Sequence, residues 1–177
     1  APYGSWKSPI TSDAIISDSF GLGQIGIDGE DLYWTEVRPW EEGRSVLVRY
    51  AEDGVFEDVT PRGFSVRSRV HEYGGGAFTV EDSIAYFCNF SDQRLYKQTA
   101  NGPVDLTSDD RRRYADLEVD LPRNRIICVS EDHANQGTEP VNSIVDVNLG
   151  GRFPIQTLVT GNDFYSSPRV SPNGARL

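Results

Sequence analysis

His71 and Glu72 are the neighbours in this chain whose side chains point most directly to chemistry. They stand in SRVHEYGGGA, residues 68–77, followed by Tyr73 and three consecutive glycines. A histidine beside a glutamate suggests a metal site, and a glycine triplet suggests a phosphate-binding loop. The metal reading fails on spacing. A zincin helix carries H-E-x-x-H, which sets two imidazoles one turn apart on a single ion. Here Gly75 occupies the second histidine's place, and three glycines do not sustain a helix. The other histidine, His133, lies 62 residues further on in EDHANQG, beside Glu131 and Asp132. No metal is expected.

The phosphate reading fails on context. GLGQIG (21–26) matches G-x-G-x-x-G literally. That fingerprint needs a strand before it and a helix N-terminus after it to meet a pyrophosphate. IDGEDLYW follows instead and reads as a hairpin, so neither a nucleotide nor any other cofactor is expected. Gly74–Gly76 takes the same place further along, as a glycine-rich inner strand whose backbone is approached closely. Nucleophilic catalysis has no G-x-S-x-G elbow to rest on. Ser65, Ser68 and Ser91 lie in turn-rich surroundings, and no catalytic residue is assigned.

Composition narrows the classes further. A net charge of -10 disfavours gripping a phosphate backbone, so no nucleic acid is expected. The one basic run, Arg111–Arg113, follows Asp109 and Asp110 and reads as a solvated loop. No apolar run approaches the ~20 residues of a membrane helix. The first residues, APYGSWKSPI, lack the basic start and apolar core of a signal peptide. Cys88 and Cys128 sit in the strand-like runs AYFCNF and RIICVS, as buried free thiols suited to a reducing, cytoplasmic setting. Asn89-Phe90-Ser91 fits a glycosylation sequon, but the tripeptide is common by chance and, with no secretion signal read, it is discounted.

The elements that must position these residues are strands. With 17 Gly, 10 Pro, eight Tyr and eight Phe, the chain alternates short β-rich runs with turn residues. GQIGIDGEDLYWTE, GAFTVEDSIAYFCN and ADLEVDLPRNRIICVS each read as a hairpin, and SSPRVSPNGARL begins a fourth. A third run follows each complete hairpin: SVLVRY (45–50), QRLYKQ (93–98) and NSIVDVN (142–148). FEDVTP, PVDLTS and QTLVTG close the units, ending near Thr60, Thr107 and Thr160 at separations of 47 and 53 residues. Four antiparallel strands recurring about every 50 residues are the pattern of β-propeller blades. A β-sandwich of similar hairpins is the alternative, but it has no need of sets of four. We therefore expect an all-β partial propeller. Blade one covers about 21–61, blade two about 74–108, blade three about 114–161, and a fourth begins over 165–177. Tyr33/Trp34 and Tyr86/Phe87 are expected between the sheets. The pattern reads as cut in mid-blade, a piece of a longer protein whose open edges and uncovered inter-blade face favour a homo-oligomer.

Four stretches together go further than the pattern. YGSWKSPIT (3–11), RVHEYGGGAF (69–78), SDQRLY (91–96) and NDFYSSPRVSPNGARL (162–177) resemble the N-terminal region of the S9, or prolyl oligopeptidase, family, nearest its acylaminoacyl-peptidase and dipeptidyl-peptidase-like members. The resemblance spans essentially the whole chain. It implies an N-terminal propeller that restricts the access of short peptides to a C-terminal α/β-hydrolase domain with a Ser-Asp-His triad. No position here matches a triad residue, so the parent is expected to be a serine peptidase and this chain alone inactive. The implied partners are peptide substrate, the remaining blades and the hydrolase domain. Arg69, His71, Glu72 and Tyr73, on the connector into blade two, are the candidate substrate contacts. Asn162, Asp163, Phe164 and Tyr165 occupy the equivalent connector into blade four. The plainer reading pairs Arg69 with Glu72 and packs Tyr73 between blades. A free-standing TolB- or WD40-like binding module and a metal-dependent propeller such as a lactonase are the competing functions.

Overall fold

The computed structural model describes residues 2–7, 9–11, 19–108, 111–135, 138–151 and 154–177. Asp109 and Asp110, expected to begin a solvated loop, and Ser8 of the 3–11 stretch lie outside the described residues. Among the described residues, twelve strands form three sheets of four, each antiparallel and in sequence order. Sheet one holds β1 (Gly21–Asp28), β2 (Asp31–Arg38), β3 (Arg44–Tyr50) and β4 (Phe56–Asp58). Sheet two holds β5 (Phe78–Glu81), β6 (Ile84–Cys88), β7 (Leu95–Thr99) and β8 (Gly102–Asp105). Sheet three holds β9 (Arg112–Asp120), β10 (Arg125–Asp132), β11 (Val141–Asn148) and β12 (Gln156–Thr160). The first strands of the sheets are neighbours, β1 against β5 and β5 against β9, which makes them the inner strands of three blades around one axis.

Alternation along β6 shows how the sheets are joined. Successive side chains of a strand point to opposite faces. Phe87 faces sheet one, in a core with Tyr33, Leu47, Val66 and Phe78. Tyr86 faces sheet three, in a core with Tyr114, Leu117, Ile126, Cys128, Val145 and Val147. The same rule separates the pair on β2. Tyr33 lies between the sheets, but Trp34 is on the far face of sheet one, edge-on to Phe56 at 5.9 Å. Ile25, Ile27 and Phe56 on that strand set are exposed. Both thiols are free and buried in the sheet two–sheet three core, and burial pushes each well above the ordinary thiol range. Asn89 of the sequon is buried, its amide nitrogen donating to Ser91 Oγ at 2.9 Å and to Asp92 Oδ1 at 3.1 Å.

The repeating threonines have a definite task. Thr60 Oγ1 accepts the Leu47 amide at 3.1 Å, and Thr107 Oγ1 accepts the Leu95 amide at 3.1 Å. Each hydroxyl supplies an acceptor to the third strand just beyond the last pair of its ladder with the fourth. Thr160 differs: it is the last residue of β12 itself, is exposed, and donates to the Asn142 carbonyl at 3.3 Å. Thr60→Val, which keeps the shape and leaves a buried amide unpaired, is expected to lower stability by about 1–2 kcal/mol, with Thr60→Ser recovering most of it. Urea unfolding of the three proteins measures this.

Further expectations need correction. Arg112 and Arg113 are not in a solvated loop. They begin β9, where Arg112 pairs with Asp132 at 3.1 Å and Arg113 is turned towards carboxylates. Residues 74–77 form no strand, since β5 starts at Phe78. Close backbone approach still accounts for their glycines: a Cβ at Gly75 would stand 2.9 Å from the Ala115 Cβ, and one at Gly76 2.9 Å from Asp116 Oδ1. Residues 162–177 carry the Pro172–Gly174 turn but no paired strand. Carboxylates of β9 hold their backbone instead, Asp116 at the Ser167 amide (2.9 Å) and Glu118 at the Val170 amide (3.3 Å).

Candidate functional site at one edge of the sheets

In an antiparallel sheet of four, one edge collects the starts of the first and third strands and the ends of the second and fourth. In sheet three this edge carries Arg112 and Arg113 on β9, Glu131 and Asp132 on β10, Val141 and Asn142 on β11, and Thr160 on β12. The 69–73 connector, which leads to the start of β5, and residues 161–165, which leave the end of β12, belong to the same edge. A cleft of about 790 Å³ opens there, lined by His71, Glu72, Arg113, Glu131, His133 and Phe164 among others. Sites formed by loops on a rigid sheet edge are the usual place for a ligand to meet such a fold.

The two connectors singled out in the sequence meet in this cleft. The Phe164 ring stands edge-on to the His71 imidazole at 5.0 Å, and Asn162 and Asp163 line the same space. Both histidines of the chain converge on one carboxylate. The His71 amide donates to Glu131 Oε1 at 3.0 Å, and His133 Nε2 lies 2.8 Å from Glu131 Oε2. Asn142 Oδ1 lies 3.1 Å from His71 Nε2. Among the described residues, no group of three or more His, Cys, Asp or Glu side chains is placed to hold a metal ion.

The four candidate contacts separate. His71 and Glu72 line the cleft, while Arg69 and Tyr73 do not. Arg69 is exposed, with its guanidinium 5.9 Å from the Phe90 ring centroid. Tyr73 is 81% exposed, its ring 5.8 Å from that of His71, so it does not pack between blades. Nor does Glu72 pair with Arg69. Its carboxylate accepts from Arg113 Nη1 at 2.6 Å, and the same nitrogen donates to the Arg69 carbonyl at 2.9 Å. The Arg113 guanidinium holds the Glu72 carboxyl below the usual carboxylate range. The pair is therefore fully formed above that range and is lost only as the pH falls through the lowered value. Arg113, Glu131 and Asn142 are the partners that the motif alone did not supply.

The connector's backbone is unusual. His71 and Glu72 take φ of 55° and 65° in succession, and Gly74 follows at 92°. Side chains in the left-handed region cost on the order of 1–3 kcal/mol each and persist where the surroundings over-determine them. Here the Glu72 amide donates to the Arg69 carbonyl at 3.0 Å and the Gly74 amide to the Val70 carbonyl at 2.8 Å, closing a compact turn.

Three four-stranded antiparallel sheets with adjacent inner strands define a portion of a β-propeller. The resemblance to the N-terminal propeller of the S9, or prolyl oligopeptidase, family is borne out. The chain is similar to a puromycin-hydrolysing peptidase of Mycobacterium tuberculosis, with a TM-score of 0.85 and 32% identity over 98% of this chain and 29% of that one. A puromycin hydrolase gives the same score and identity over 98% of this chain and 30% of its own. The chain thus spans under a third of the length of the peptidases it matches. A chain of a nidogen/laminin complex, with a TM-score of 0.51 and 13% identity over 78% of this chain and 48% of that one, shares the fold alone. No family model and no curated protein matches the sequence. Among the described residues no helix is long and apolar enough to cross a membrane.

Proposed function

We propose that this chain belongs to the propeller of a serine peptidase, and that its cleft-bearing edge contacts short peptides on their way to a hydrolase active site supplied elsewhere in the same protein. One observation carries the reading: nearly the whole chain aligns within a small portion of two puromycin-hydrolysing peptidases, and two of the four stretches that carry the family resemblance, 69–78 and 162–177, line one cleft. In this role the propeller is a sieve. A peptide that fits reaches a nucleophilic serine activated by histidine, whereas a folded protein is excluded by the ring of blades. His71, Glu72 and Phe164 are the contacts from the cleft, and Arg69 and Tyr73 flank it. Further blades of the same protein cover the exposed face of sheet one at Ile25, Ile27 and Phe56, failing which a second copy of the chain does so. The two buried free thiols fit a cytoplasmic setting.

The reading frame beyond Leu177 is expected to continue through further blades to a G-x-S-x-G elbow. The contact itself is tested on this chain. Its two histidines give two resolvable imidazole signals, and a saturating tetrapeptide is expected to shift that of His71, with Phe164→Ala weakening the response. Imidazole signals that stay fixed at saturating peptide would remove the cleft from the reading.

A further inference from the structure

Three side chains from one cross-strand row of sheet three take hold of the 69–73 connector. Glu131 on β10 is in register with Arg113 on β9 and Asn142 on β11. Arg113 donates to the Arg69 carbonyl at 2.9 Å and to Glu72 at 2.6 Å. Asn142 Oδ1 is 3.1 Å from the His71 ring nitrogen Nε2. Glu131 is the centre of the row. It is 4% exposed, and its Oε1 accepts the His71 amide at 3.0 Å. Its Oε2 meets His133 at 2.8 Å and Arg113 at 3.4 Å. A buried carboxylate is retained where every lone pair has a partner, and here its three partners, His71, His133 and Arg113, also line the cleft.

We propose that Glu131 is the positioning residue of this cleft. It clamps the His71 amide, and through Arg113 it orients Glu72, so that the connector keeps the left-handed turn that turns both side chains into the cleft. Without Glu131 the turn relaxes and the cleft loses that wall. The conformational claim stands on these contacts alone; its bearing on peptide contact rests on the function proposed above.

Amide hydrogen exchange on the 177-residue chain, with no peptide present, tests the claim independently of that function. Glu131→Ala is expected to speed exchange at His71 by about tenfold or more. Exchange at Cys128 and Val145, within the same sheet, stays as in the parent chain. Glu131→Gln retains an oxygen that accepts the His71 amide and is expected to keep most of the protection, a rescue that generic loss of a buried group does not produce. Unchanged exchange at His71 in Glu131→Ala overturns the proposal. So does an equal rise at Cys128 and Val145, because the sheet rather than the connector has then been loosened. If Glu131→Ala does not fold, Asn142→Ala decides, since it leaves Glu131 in place. His71 protection kept within about twofold supports Glu131 as the clamp, and lost protection assigns the hold to Asn142 and overturns it.

Discussion

Phe87→Ala is expected to lower the unfolding free energy by about 3–5 kcal/mol, a large share of the ~5–15 kcal/mol that holds a typical domain folded. Phe87 is fully buried in the middle strand set of the middle sheet and faces sheet one. Its ring is stacked near Tyr96 at 5.7 Å and edge-on to Phe64 at 6.0 Å, so alanine removes two ring pairs as well as the buried area. The effect should be directional. Blades bind only their neighbours, so stability in such an array is close to a sum of nearest-neighbour interfaces. Loss of Phe87 therefore loosens sheet one from sheet two while Tyr86, on the opposite face, keeps sheet three in place. Amide exchange should accelerate at Leu47 on β3 well before it does at Val145 on β11. Phe87→Leu, which keeps most of the volume, should cost under about 1.5 kcal/mol. A loss below about 1 kcal/mol in Phe87→Ala would mean that the sheets are not joined through this side chain.

The blade repeat was legible because a strand's period and its turn residues are local. Asp28-Gly29, Asp82-Ser83 and Asn124 stand at hairpin bends with positive φ at Gly29, Asp82, Ser83 and Asn124, where turn-forming residues belong. The same locality set the limit. Two adjacent aromatics on a strand must face opposite ways, yet only the neighbouring sheets decide which way is inward. Trp34 consequently faces away from the core that Tyr33 enters.

At the candidate site, the two connectors were readable as equivalents because each follows a closing strand. Their partners were not. Arg113 reaches Glu72 from 41 residues away, and its place opposite Glu131 depends on a register shift between Ile127 and Val129 that no local pattern announces. The basic run looks like a loop in sequence because it follows Asp109 and Asp110 in one dense run of charge. In the fold, Arg112 and Arg113 go to different carboxylates on opposite faces of β9. The pairing of Glu72 with Arg69 is the local expectation, and the non-local partner wins because Arg113 also satisfies the Arg69 carbonyl.

Asp116→Ala is expected to cost about 3–5 kcal/mol, although Asp116 is a single side chain at a bulge. Its two oxygens serve two other segments. Oδ1 accepts the Gly76 amide at 2.6 Å, and Oδ2 accepts the Ser167 amide at 2.9 Å, while its own amide donates to the Gly76 carbonyl at 2.7 Å. Hydrogen bonds to a charged acceptor contribute about 1.5–3 kcal/mol each, and alanine loses both. Asp116 also sits at φ 55°, where aspartate is better tolerated than alanine. In the preceding blade Gln24 on β1 has the corresponding role, its Oε1 accepting the Ala77 amide at 2.8 Å and its Nε2 donating to the Phe78 carbonyl at 2.7 Å. Substitutions separate the contributions. Asp116→Gly relieves the backbone but keeps neither bond, so it should recover only the conformational share. Asp116→Asn retains one accepting oxygen and turns a donor on the other amide, so it should fall between the parent chain and alanine. Urea unfolding gives the order, and an Asn variant as stable as the parent would show that only one of the two bonds matters. The consequence extends to the cleft. Gly76 ends the segment that begins at His71, and Ser167 follows Phe164 by three residues, so Asp116 anchors both connectors from behind. In Asp116→Ala the imidazole signal of His71 should shift even where the sheets remain folded, because Phe164 no longer has a fixed place against it.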